Sequence, residues 1–90
     1  MNNRPLYVAN TEPRRGVRPS TLRAGMRVRR VDGPEPSFGR PVLSFVHRDS
    51  QRRQSVLQGE AYRGQNGPSD EGYVVVSDYD MSRFYARVPA

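Results

Sequence analysis

Tyr73-Val74-Val75-Val76-Ser77 is the stretch on which the fold turns. Three consecutive residues branched at Cβ follow an aromatic one, and such side chains suit a pleated surface better than a helical turn. The loop before it, residues 64–72, is rich in Gly, Asn, Pro and acids. After it, residues 78–82 read as a tight turn of the 3₁₀ kind, with Asp78 and Asp80 fixing the turn through bonds to the backbone. Residues 83–88 then alternate at the strand period. Phe84, Ala86 and Val88 are predicted to point inward, and Arg83, Tyr85 and Arg87 outward.

Further strands are legible toward the N-terminus. Residues 42–47 carry apolar groups on both faces, Leu43 and Phe45 on one and Val42 and Val46 on the other, which predicts burial on two sides. Ser55-Val56-Leu57-Gln58 is a weaker strand, with Glu60-Ala61-Tyr62 as its continuation, and residues 48–53 form the polar connection before it. Met26-Arg27-Val28-Arg29 alternates with Met26 and Val28 inward. Ser20 is placed to cap one helical turn ahead of it, ending at Gly25. Five short strands separated by turn signals, without a long helical pattern, predict an all-β fold: a small five-stranded barrel over residues 20–90. Residues 1–19, broken by Pro5, Pro13 and Pro19, read as an extended basic arm.

A chain of 90 residues with 34% hydrophobic content builds one modest core. It has no Cys, so disulfides, thiolate nucleophiles and Cys-based zinc sites are excluded. No apolar run approaches the ~20 residues of a membrane-spanning helix, and Met1 to Val8 lacks the apolar centre of a signal peptide. The expectation is a cytoplasmic protein, or a virion-associated one assembled there.

The formal charge is +6, and all fifteen cationic residues are Arg. A guanidinium stays charged and grips phosphate or carboxylate through paired hydrogen bonds. Residues 1–63 carry a balance of +8 and residues 64–90 a balance of −2. Arg27, Arg29, Arg30, Arg48, Arg52 and Arg53 are expected to form one basic patch near His47, extended by Arg14, Arg15 and Arg18 of the arm. Tyr7, Tyr62 and Tyr85 are candidate stacking faces. The competing reading is a solvated face balanced by Asp32, Glu35, Asp49 and Glu60.

No catalytic constellation is evident. His47 is the single histidine and is expected to be a partly buried strand residue. His47-Arg48-Asp49 matches the tripeptide of a kinase catalytic loop by coincidence, since the chain lacks that family's other motifs. Asp78 and Asp80 are too few to fill a calcium site.

The core resembles an SH3-like barrel in Gly25-Met26-Arg27-Val28-Arg29 with Gly33 at its opening, and in Tyr73-Val74-Val75-Val76 and Phe84-Tyr85 at its close. Within that class it is similar to the plasmid-borne type B dihydrofolate reductases, which show G-x-R-V-R, E-G-Y-x-V and V-Q-I-Y-P. The matching residues are Gly25, Arg27, Val28 and Arg29, then Glu71-Gly72-Tyr73-Val74-Val75, then Tyr85. That resemblance implies four copies around one pore, binding folate and NADPH through the Q-I-Y segment. Here Arg83 stands at the Gln, Phe84 at the Ile and Ala86 at the Pro, and the stretch between Gly39 and Gly72 is longer.

Taken together, the sequence predicts a non-enzymatic binding module without cofactor or metal. Its expected partner is nucleic acid held through Arg–phosphate contacts. The alternatives are an acidic protein surface bound by a phage or mobile-element protein (inhibitor or assembly component), and the reductase. A homo-oligomer or larger assembly is compatible with each.

Overall fold

The computed structural model describes residues 16–37 and 39–89. The expectations for Tyr7, Arg14 and Arg15 lie outside them. Five antiparallel strands form one sheet: β1 (Arg27–Arg30), β2 (Val42–Asp49), β3 (Gln54–Gln58), β4 (Tyr73–Ser77) and β5 (Tyr85–Val88), in the order β4-β3-β2-β1-β5. The all-β expectation therefore holds. Closure into a barrel is not seen: among the described residues no ladder joins β4 to β5. A seven-residue helix, α1 (Asp78–Phe84), links them instead.

The helix replaces the tight turn expected at residues 78–82. Ser77 caps it by accepting a hydrogen bond from the Asp80 N–H, and Asp78 and Asp80 suit the positive end of the helix dipole. Because α1 continues through Phe84, β5 starts two residues later than expected, and Tyr85 turns inward while Ala86 stays buried and Arg87 exposed as expected. Tyr85 lies across from Arg30 and is 5% exposed, and Arg87 lies across from the fully buried Val28. Tyr85 thus faces the core, against expectation. Ala86, on the other side of the strand, is buried as well.

Val28, Leu43, Phe45, Leu57, Val76 and Tyr85 from the five strands join Met81 of α1, Val17 and Leu22 in one cluster. Val17 belongs to the segment read as an arm. The Gly16 N–H donates to the Tyr85 carbonyl and the Val17 N–H to that of Met81, so the last residues of that segment lie on the body. Gly16 has φ of 97°, and a Cβ there would stand 2.7 Å from the Ser82 carbonyl oxygen, so this close approach requires glycine.

Three local expectations are corrected. Val42 is 40% exposed, so β2 is buried on one face only. Ser20 caps nothing: it lies inside a 3₁₀ turn, Pro19–Thr21, where proline's fixed φ starts the turn and Thr21 Oγ1 donates to the Arg18 carbonyl. Glu60–Tyr62 is a second 3₁₀ turn rather than the end of β3, since the chain must leave the sheet to reach β4.

Candidate anion-binding concavity at the β1–β5 end of the sheet

The structure divides the predicted arginines into groups with different fates. Arg30 and Arg48 turn inward. Arg30 lies over the rings of Phe84 and Tyr85, at 4.8 and 5.8 Å from their centroids, and reaches Asp80 at 3.9 Å. Arg48 stands in register with the buried Ser55 and grips Asp78 through two bonds, Nε to Oδ1 at 3.2 Å and Nη2 to Oδ2 at 2.5 Å. That bidentate hydrogen bond, reinforced by the Asp78 charge, raises the Arg48 pKa above its ordinary value. These two cations are committed to the molecule's own carboxylates.

Arg52 and Arg53 occupy the β2–β3 hairpin, where Arg52 reaches Asp49 at 3.9 Å and Arg53 is exposed. Arg27 pairs with Ser44, so the hairpin begins five residues further along β2, roughly 17 Å away. The single patch expected around His47 is therefore not assembled. His47 itself follows a register shift between Phe45 and His47, which turns it outward; it is exposed rather than partly buried. Arg18 is exposed at the start of the first 3₁₀ turn, and Arg29 on β1 donates to the Arg40 carbonyl.

A different set of arginines lines one concavity. Residues 24–25 turn the chain, with Gly25 at φ 90°. The turn is fastened by the Met26 N–H to the Arg23 carbonyl at 2.9 Å and by the Gly25 N–H to the Phe45 carbonyl at 3.0 Å. β1 leaves this turn antiparallel to β5, with Arg27 opposite Val88. Arg23, Arg27 and Arg87 are thereby brought to one open concavity of about 780 Å³, whose wall also includes Met26, Val88 and Pro89.

Each guanidinium there is held by a neutral acceptor. Arg27 donates to the Pro89 carbonyl (2.9 Å), Arg23 to those of Leu22 and Ser20 (3.1 and 3.4 Å), and Arg87 to the Met26 sulfur (3.5 Å). Among the described residues, none of the three forms an ion pair with a carboxylate. A concavity with oriented cations and a partly apolar wall can take a phosphate or carboxylate attached to a flat or apolar group.

Of the candidate stacking faces, Tyr85 is buried and offers none. Burial raises its pKa, opposed by the hydrogen bond and charge of Arg30. Tyr62 is half-buried against the core. In the segment that the reductase resemblance assigns to a pore, Arg83 is exposed over the Tyr79 ring, Phe84 packs on the core and Tyr85 is inside it. Among the described residues no cluster of His, Cys, Asp or Glu is arranged to hold a metal ion, and no helix is long and apolar enough to cross a membrane.

Neither Arg23 nor Arg87, expected only to point outward, was among the predicted site residues. A signal for both was present. Residues 13–31 and 81–90 contain no acid, and antiparallel pairing of β1 with β5 brings these two acid-free stretches together. Comparison with family models, curated proteins and solved structures finds no match to the chain.

Proposed function

We propose that the protein is a basic binding module that engages nucleic acid through the phosphate contacts of Arg23, Arg27 and Arg87. The observation that supports this reading is that Arg23, Arg27 and Arg87, without carboxylate partners among the described residues, line one concavity. Contacts of this kind neutralise phosphates and release counterions, so they favour many sequences about equally. Arg29 on β1 and Arg52 and Arg53 at the hairpin are also exposed, outside the concavity.

The test is binding to fluorescent oligonucleotides of unrelated sequence across a salt series. Three phosphate contacts predict that log K falls against log salt with a slope of about −2 to −3. A flat dependence, or no binding at low salt, would remove the reading. Recovery of one stoichiometric acidic protein that survives nuclease treatment would favour the protein-binding alternative, in which the same guanidiniums grip carboxylates.

A further inference from the structure

The chain has three methionines and no cysteine. Met1 lies outside the described residues, and Met81 is fully buried in the core. Met26 is placed differently: it packs against the core cluster but is only partly buried, and it lines the open concavity. Among the described residues it therefore carries the sulfur that a small solute in the concavity can reach.

The Met26 backbone is pinned from both sides. Its N–H donates to the Arg23 carbonyl at 2.9 Å, and its carbonyl accepts from the Phe45 N–H at 2.7 Å. Two donors then meet the sulfur itself, the Arg23 N–H at 3.3 Å and Arg87 Nη2 at 3.5 Å. A thioether is a weak acceptor, so the Arg87 guanidinium is held loosely and can turn to a phosphate.

We infer that Met26 is a reversible oxidation site, at which a peroxide converts the thioether to a sulfoxide that captures Arg87. The sulfur lone pair attacks one oxygen of hydrogen peroxide. An S–O bond forms as the O–O bond breaks. The departing hydroxide takes the proton shed by the transferred oxygen and leaves as water. Sulfur is oxidised by two electrons and the peroxide reduced by two. The product carries a polar oxygen where a weak acceptor stood. Both donors already lie at the sulfur, so the new oxygen forms within their reach. A guanidinium bonds an oxygen far more strongly than a thioether sulfur, and Arg87 is thereby held on its own chain.

The consequence for affinity rests on the nucleic-acid reading of the concavity; the oxidation and the new hydrogen bonds do not. With Arg87 captured, Arg23 and Arg27 remain for phosphate. Binding should weaken about three- to tenfold, and the salt slope should shrink in magnitude by about 1.

The test treats the folded full chain with dilute hydrogen peroxide and maps its peptides by mass spectrometry. Oxygen should add to Met26 at least about tenfold faster than to Met81, and the mapping separates both from Met1. The circular dichroism spectrum should be unchanged. In proton–nitrogen NMR the Arg23 amide and the Arg87 guanidinium should shift, and methionine sulfoxide reductases should reverse the change. The same treatment should leave the oligonucleotide affinity of Arg87→Gln and of Met26→Leu at each variant's own starting value, since one lacks the captured group and the other the sulfur. Oxidation of Met26 no faster than Met81, or a sulfoxide that moves neither donor, overturns the inference. So does a fall in Arg87→Gln equal to that of the wild type, which would make the sulfoxide a general disturbance of the site. If the untreated chain binds no oligonucleotide, the nucleic-acid reading fails, and the mapping and NMR results still decide the fate of Met26.

Discussion

Arg27 and Arg30 are three residues apart on one strand, yet they end in opposite circumstances. Arg30 lies over Phe84 and Tyr85 with Asp80 at 3.9 Å; Arg27 stands in the open concavity with the Pro89 carbonyl as its acceptor among the described residues. The difference follows from strand parity and from where the acids fall. Arg30 shares the side of β1 that packs against α1, the element bearing Asp78 and Asp80, whereas Arg27 points to a region bordered by acid-free chain. A count of arginines therefore overstates the charge this molecule displays. The cations available to a partner are those that no carboxylate reaches.

The contrast breaks most visibly if the open set is removed. Replacing Arg23, Arg27 and Arg87 together with Gln should weaken oligonucleotide binding by about 100-fold at low salt and reduce the magnitude of the salt slope by about 2–3. The melting temperature should stay near that of the wild type, because among the described residues these side chains make no ion pair with a carboxylate. Equal loss of binding from Arg48→Gln, with Arg48 held by Asp78, would show that the division into displayed and committed arginines is wrong.

Arg30→Ala tests the opposite side. It removes a cation from between two rings and should cost about 1–2 kcal/mol of stability in chemical denaturation. Oligonucleotide affinity should change by less than about twofold, since Arg30 is turned away from the concavity. Somewhat smaller is the effect expected of Ser77→Ala. The Ser77 side chain accepts the Asp80 N–H and so fixes the start of α1, and its loss should cost about 1 kcal/mol. The helix that Ser77 caps holds both Asp78 and Asp80, so the cap also supports the ion pairs of Arg48 and Arg30.

The central strands were legible because their patterns are local. Tyr73–Ser77 is found where its β-branched run predicts, and Val28, Leu43, Phe45 and Leu57 point inward as alternation requires. The end of the chain was misread because residues 78–82 contain two aspartates, which suit a turn and the first turn of a helix equally. Only the packing of Met81 into the core, a long-range fact, decides for the helix. That choice reversed the side assigned to Tyr85. The candidate site was harder still. Arg23 and Arg87 are separated by most of the chain, and what joins them is the pairing of β1 with β5, whose register no local pattern records.

The least of the expected effects concerns Tyr85, and it reads the committed arginine directly. Burial disfavours the phenolate and raises the Tyr85 pKa above the ordinary 10.0, while the hydrogen bond and charge of Arg30 pull it down. A pKa that is higher in the folded than in the unfolded state means that the folded chain holds this proton more tightly. The associated stability is whole below pH 10.0 and is lost as pH rises through the folded value. Denaturation followed across the alkaline range should therefore show stability falling above that point, and Tyr85→Phe should remove that part of the dependence. In Arg30→Ala the opposing cation is gone, so the phenol should titrate later still and the alkaline loss should extend over a wider range. If Tyr85 instead ionises at the same pH in both chains, Arg30 does not lie against this ring in solution. The inward fate that separates it from Arg27 would then be mistaken.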